Sequence, residues 1–312
     1  MHRKIKIIHG KPYEYVVESF RFPDGKIKKI EILFKNQNKK ELEGIFNEKK
    51  KKAFFEYIIK NYKPDSVFTK EEFLKIESIH VDYSNIIKKI SKKDKKDLFD
   101  RFTANFTYES NALEGNSLTL KDVAIVMFEN STIKGKDLRE IYETRNSRKV
   151  VEGILNRKFN ISEKDIIRIH KLLVQDLEIE TDYKKFPNIL VGKKIRLIPP
   201  EKVKEEMANL VEWYHKNKSK IHPLKLASLF HGKFEQIHPF QDGNGRVGRF
   251  LINAMLINEN YPPLIIRKSQ RISYLTALEK FDNNYSKNLE RFFLEKFKET
   301  YRKFFEIYIR YI

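Results

Sequence analysis

The chain has 312 residues, 63 of them Lys or Arg against 43 Asp or Glu, for a formal net charge of +20. With 40% hydrophobic residues, including 24 Phe and 15 Tyr, it is too rich in core formers for a disordered polyelectrolyte, and its length suits about two structural units. The absence of cysteine excludes disulfides, iron–sulfur clusters, thiolate zinc sites and cysteine nucleophiles, and makes a reducing, cytoplasmic location the expected one.

In chain order, Ile5, Ile7, Tyr13, Tyr15 and Val17 alternate with polar residues, and Pro23-Asp24-Gly25 supplies a turn before Ile27. This pattern predicts a small antiparallel β-hairpin over residues 1–34. From Lys39 the period changes: Leu42, Phe46, Phe54, Tyr57 and Ile58 fall at helical spacing until Pro64-Asp65, and Thr69 opens a second helix with Glu72 at its capping-box position. An N-terminal region over 1–92 therefore precedes the lysine run Lys92-Lys93-Asp94-Lys95-Lys96. Residues 93–312 read as a helical domain, with stripes over Asp97–Leu113, Thr119–Phe128, Asp137–Leu155, Ser162–Leu177, Pro200–Lys216 and His222–Gln236. Within it, Ile189–Arg196 reads as a short β-hairpin turning at Gly192-Lys193. The fold class is mainly α. No apolar run reaches 18 residues or makes a signal peptide, so no membrane partner is expected. A pI near 9.6 suits nucleic-acid binders, but lysine runs such as Lys49–Lys52 are more simply solvated helix faces, so nucleic acid is not the expected partner.

The segment His238-Pro239-Phe240-Gln241-Asp242-Gly243-Asn244-Gly245-Arg246-Val247-Gly248-Arg249 carries the most chemistry. Pro239 stops one helix, two glycines let the backbone approach a ligand, and Val247, Phe250, Leu251, Ala254 and Met255 restart a helix at once. Free N–H groups at that helix N-terminus form an anion site. Arg246 and Arg249 sit three residues apart on its first turn, so both can lean over one anion, and a polyphosphate fits. Asp242 offers a hard oxygen ligand for Mg²⁺ beside the phosphates, and His238 can accept a proton near neutral pH. No Gly-Lys-Ser/Thr follows the glycines, which excludes a Walker-A loop, and Asn253 stands where an EF-hand would need Glu.

These twelve residues resemble the signature of the Fic family, His-Pro-Phe-x-Asp/Glu-Gly-Asn-Gly-Arg-x-x-Arg, at every specified position. The resemblance extends over about residues 97–300 through Tyr183-Lys184, Ile189-Leu190-Val191-Gly192, Pro199-Pro200, His222-Pro223, Tyr261-Pro262-Pro263 and Arg271-Ile272-Ser273-Tyr274. It implies a Fic-type helical bundle with a β-hairpin flap, and a protein adenylyltransferase that moves AMP from ATP to a Ser, Thr or Tyr hydroxyl of a target protein. In that scheme His238 is the general base and Asp242 holds Mg²⁺. The N–H groups from Gly243 through Asn244 and Gly245 to Arg246 cradle the α-phosphate, with the asparagine side chain, and the two arginines neutralise the β- and γ-phosphates. Val247 and Gly248 complete the nucleotide-binding stretch. Val191, Gly192 and Lys193 belong to the flap that holds the target segment, Tyr274 corresponds to a nucleotide-pocket tyrosine, and Asp282 stands where many relatives have an adenine-side Asn. The resemblance also implies a homodimer as an oligomeric option.

Upstream, Ser110-Asn111-Ala112-Leu113-Glu114-Gly115 reads as a helix end. Gly115 suits a left-handed C′ position, while Glu114 opposes the helix dipole and calls for a cationic partner. The segment resembles the Fic inhibitory motif, Ser/Thr-x-x-x-Glu-Gly/Asn, whose position before the core marks the subgroup with an N-terminal inhibitory helix. In that subgroup Glu114 would pair with Arg249 and block the seat of the γ-phosphate. Alternative enzyme readings are removal of AMP, or transfer of another nucleotide or phosphate group. The non-enzyme alternative is a nucleic-acid-binding or toxin–antitoxin module.

Overall fold

In the computed structural model of the chain, which describes residues 1–188 and 197–309, the N-terminal alternation builds a three-stranded antiparallel sheet, β1 (His2–Ile8), β2 (Lys11–Arg21) and β3 (Ile27–Leu33), in the order β1-β2-β3. The sequence predicts one hairpin, and the structure adds a second. His9 and Gly10, both at positive φ, turn β1 back onto β2, and Gly25 at φ 84° closes the β2–β3 turn, with Phe22 N–H donating to Lys26 O at 2.8 Å. One sheet face, Val16, Phe20, Ile30 and Ile32, packs with Leu42, Phe46, Ala53 and Phe54 of helix α1 (Lys39–Asn61) and Val81 of α2 (Lys70–Lys89). Asn38 and Glu41 form a reciprocal capping box at the start of α1. These elements form one compact unit, Met1–Asn85, and Ile86–Ile312 form another. The division falls inside α2, short of the lysine run.

The second unit opens with α3 (Lys92–Leu113), capped by Ser91, so the lysine run is its first solvated turns rather than a linker. A short α4 (Leu120–Ala124) passes into a π-helical turn, Ile125–Glu129, followed by α5 (Leu138–Leu155) and α6 (Glu163–Leu173). The sixth helix stops before the expected Leu177, where Asp176 takes φ 61°. The remaining main helices are α7 (Pro200–Asn217), α8 (Pro223–Ile237), α9 (Asn244–Asn258), α10 (Arg271–Asp282) and α11 (Ser286–Thr300). The fold is mainly α. The expected hairpin at 189–196, with Val191, Gly192 and Lys193, lies outside the described residues. No helix among the described residues is long and apolar enough to cross a membrane.

Helix α9 is the centre of this unit. It is apolar on nearly all sides, and its residues from Arg246 to Ile257 are buried, as expected of a helix enclosed by others. Phe250 is fully buried and meets the Phe106 ring edge-on at 4.9 Å. Phe250→Ala is expected to lower the unfolding free energy by about 3–5 kcal/mol, measurable by urea titration, because the tight core cannot collapse around the lost ring.

Candidate functional site

Helix α8 ends at Ile237, and its C-cap is His238 itself, in the left-handed region at φ 51° and ψ 60°, with its N–H on Phe234 O at 2.9 Å. A side chain with a Cβ rarely takes this conformation.

The loop from 239 to 243 is braced on several sides. Asn244 spends its whole amide on Phe240, accepting from its N–H at 2.8 Å and donating to its carbonyl at 2.7 Å. That side chain therefore shapes the loop, and what it turns toward a phosphate is its backbone. From α6, His170 lies flat on the Phe240 ring at 3.8 Å and reaches Asp242 O with Nε2 at 3.0 Å. Burial holds His170 down to about 4, so a neutral ring donates to that carbonyl. Lys184 adds its N–H to Pro239 O at 2.8 Å and its ammonium to Ile237 O at 3.3 Å, and burial lowers that ammonium to about 8. Asn188 donates to the carbonyls of Phe240 and Gln241 at 3.2 and 3.0 Å. Gly243, at φ 82°, then turns the chain into α9, a backbone angle that favours glycine.

Arg246 and Arg249 are only 2% and 3% exposed, and burying a guanidinium costs several kcal/mol unless it is matched. Arg249 is fully matched: its Nε donates to Ser110 Oγ at 3.0 Å, and its Nη2 donates to Ser110 O at 2.9 Å and to Glu114 Oε1 at 2.7 Å. Arg246 is less so. Its Nη1 lies 3.2 Å from Glu143 Oε1, and its buried Nε and Nη1 make no well-aligned hydrogen bond among the described residues. Those unspent donors lie at the N-terminus of α9, where the first N–H groups of a helix have no partner within it.

The helix that brings Ser110 and Glu114 ends as the sequence suggests. Gly115 at φ 101° and Asn116 close a Schellman turn onto Ala112 O and Asn111 O at 3.2 Å each. Asn111 bonds Ser147 of α5 at 3.3 Å, and Arg271 of α10 caps Leu113 O at 3.1 Å, so the helix end is fixed from two sides. The Glu114 carboxylate rests over Gly245, where a Cβ would stand 2.4 Å from Oε1. Burial opposes its charge, but the Arg249 charge and hydrogen bond, with Arg246 behind, hold the carboxyl below its usual range. Its side chain stays 44% exposed.

Several groups in this site carry no obvious mark in the sequence. Arg139 of α5 donates to Asp242 Oδ2 at 2.6 Å and to Glu143 Oε1 at 3.3 Å, and Glu143 accepts from Asn116 at 3.0 Å. The i,i+4 spacing of Arg139 and Glu143 was visible, but not which face meets the loop. Val247 is wholly buried, and Gly248 turns its bare Cα toward Glu235 and His231. Tyr274 is buried with its hydroxyl 2.7 Å from His231 Nε2, so it supports the site from below. Asp282 is the last residue of α10.

The central helix of the bundle thus carries two buried arginines on its first turns, next to a loop with His and Asp. Residues 160–256 match the Fic/DOC family. The chain is 32% identical over 177 residues to proteins named Protein adenylyltransferase Fic from Drosophila virilis and Drosophila melanogaster, covering 55% of this chain and 36% of each relative. The chain thus spans little more than a third of the length of these curated relatives. Among solved structures it is similar to a Fic domain containing signaling protein from Bacteroides thetaiotaomicron, with a TM-score of 0.66 and 26% identity, covering 75% of this chain and 95% of that one. A Fic family protein from Desulfovibrio desulfuricans superposes with a TM-score of 0.61 at 26% identity, covering 74% of each chain.

The depressed Glu114 carboxyl sets a pH signature. Its contact with Arg249 stabilises the fold fully above the ordinary glutamate value of about 4.3 and is lost as the pH falls through the lower folded value. The stability advantage of the wild type over Glu114→Gln, followed by thermal unfolding, is expected to be constant near neutrality and to vanish in acid.

Proposed function

We propose that this chain is a protein adenylyltransferase that moves AMP from ATP to a Ser, Thr or Tyr hydroxyl, and that Glu114 restrains it. The observation that carries this reading is the anion surface at the start of α9, with Arg246 donors unspent and the second arginine held by a displaceable carboxylate. The relatives' name, adenylyltransferase, supports it.

In the reaction, N–H groups from Asn244 to Arg246 hold the α-phosphate and the two guanidiniums face the β- and γ-phosphates. The hydroxyl oxygen attacks the α-phosphorus as the bond to the bridging oxygen breaks and pyrophosphate leaves. His238 takes the hydroxyl proton. Positioning and charge stabilisation supply most of the acceleration. A magnesium ion fits the donor chemistry, because Asp242 offers a partly exposed carboxylate and magnesium takes one or two carboxylates together with phosphate oxygens. When bound, it would neutralise phosphate charge. The ordering needed of Asp242 is supplied by Arg139 on one oxygen and its neighbour's N–H on the other, at 2.5 Å.

Glu114 restrains the enzyme by occupying the donor a terminal phosphate needs. Its carboxylate over Gly245 also places a negative charge where a triphosphate must sit.

After incubation with ATP and Mg²⁺, Glu114→Gly is expected to gain one or more AMP masses by intact mass spectrometry while the wild type gains far less. Equal labelling of the two would sink the restraint. In the Glu114→Gly background, His238→Ala is expected to lower the rate by at least about 10²-fold, the scale of a general base, and Arg246→Ala chiefly to raise the KM for ATP.

A further inference from the structure

The catalytic loop is supported by a buried acid that neither the anion surface nor the phosphate chemistry uses. Glu235 sits on the last turn of α8, three residues before His238, with Oε2 at 3.8 Å from His238 Nδ1 and only 12% of its side chain exposed. Its other oxygen faces His231, whose Nε2 is 3.9 Å away. We propose that Glu235 is the positioning residue of the base: its carboxylate keeps the His238 proton on Nδ1, leaving Nε2 free to accept the hydroxyl proton, and steadies the imidazolium that forms. This inference rests on the adenylyltransferase reading of the same site.

Three observations direct the carboxylate at His238 rather than elsewhere. His231 cannot quench it. Full burial, with the Arg249 charge nearby, holds that ring down to about 3, so it is neutral at any working pH, and its Nε2 is engaged with the Tyr274 hydroxyl at 2.7 Å. The Arg249 guanidinium, the nearest buried cation on α9, already has Ser110 and Glu114 as hydrogen-bond acceptors. Tyr274, from α10, is pushed upward by burial and by the Glu235 charge, so it stays a neutral phenol. On the remaining side Lys184 points its ammonium at Ile237 O, not at the acid. Of these groups and His238, the imidazole is the one whose charge changes when the hydroxyl proton is taken.

Space for the acid is reserved from α9. A Cβ at Gly248 would stand 2.8 Å from Glu235 Oε1 and 2.8 Å from the His231 ring, tighter than real side chains tolerate. The glycine between the two motif arginines thus serves the base, not the nucleotide. A carboxylate within about 4–6 Å of an imidazole favours its protonated form by one to three pH units, and the same arrangement, an acid orienting a base that serves a hydroxyl, recurs in hydrolases on unrelated folds.

Two measurements test the assignment. In Glu114→Gly protein, adding Glu235→Gln is expected to move the acid limb of the pH–rate profile for AMP transfer down by about one pH unit or more and to lower the maximal rate at least tenfold, with the KM for ATP within twofold. An acid limb that stays in place, or a loss confined to KM, would overturn the proposal. Independently of any reaction, ¹⁵N NMR of the His238 ring, assigned through His238→Ala, is expected to report a single Nδ1–H tautomer above its titration in the wild type and a mixture of tautomers in Glu235→Leu. Unchanged ring shifts in a folded Glu235→Leu protein would overturn it even if ATP proves not to be the donor. Should Glu235→Leu not fold, Gly248→Ala, which crowds the same carboxylate, is expected to give the same mixture, and an undisturbed tautomer there would count against the assignment.

Discussion

Two arginines buried at the head of an enclosed helix are the constraint from which the rest of this site follows. Apolar residues from Phe250 to Ile257 require α9 to lie inside the bundle, and the sequence places Arg246 and Arg249 on its first turns. Two guanidiniums in a dry environment must be met by acids, by backbone oxygens or by a ligand's phosphates. Ser110 and Glu114 arrive from α3, and Glu143 arrives from α5. Acids from two neighbouring helices answer a single desolvation problem.

The two arginines are not matched to the same degree, and the difference has a use. Arg249 has three hydrogen bonds, two of them to one serine, which a bound triphosphate need not disturb. The third goes to a half-exposed glutamate side chain whose exit leads to water. Removing that carboxylate takes away the charge partner but leaves the guanidinium anchored by Ser110. Arg246, by contrast, retains buried donors that the described residues do not satisfy, a state that native interiors seldom keep without a ligand to fill it.

How much of this could be read from the chain differs by element. The loop was legible because its residue types are rare in combination: a proline, three glycines, and His, Asp, Asn and paired Arg within twelve positions. Glu114 was legible for a physical reason as well, since an acid at a helix C-terminus needs a cation, and the cation lies 135 positions away. The roles within the loop were less so. Asn244 looked like a phosphate ligand, yet its amide closes on Phe240, because only geometry tells a side chain that faces outward from one folded back onto its own turn. Arg139, Glu143, His170 and Glu235 escaped because each is an ordinary residue in an ordinary amphipathic helix, and which turn of α5, α6 or α8 abuts the loop is a property of packing. The third strand at the N-terminus was missed in part because Ile5 and Ile7 are exposed, so their alternation signals strand geometry without a buried face.

The order of elements along the chain gives the Ser110–Glu114 contact a meaning in time. Synthesis runs from the N-terminus, so the helix carrying the serine and glutamate exists before α9 has been made, 139 positions later. When Arg249 first enters the folding bundle, its carboxylate is already waiting, and burying the guanidinium without that partner would be unfavourable. The newborn domain therefore matures directly into the form in which Ser110 and Glu114 hold Arg249, and any state with that guanidinium released is reached afterwards by a separate opening event.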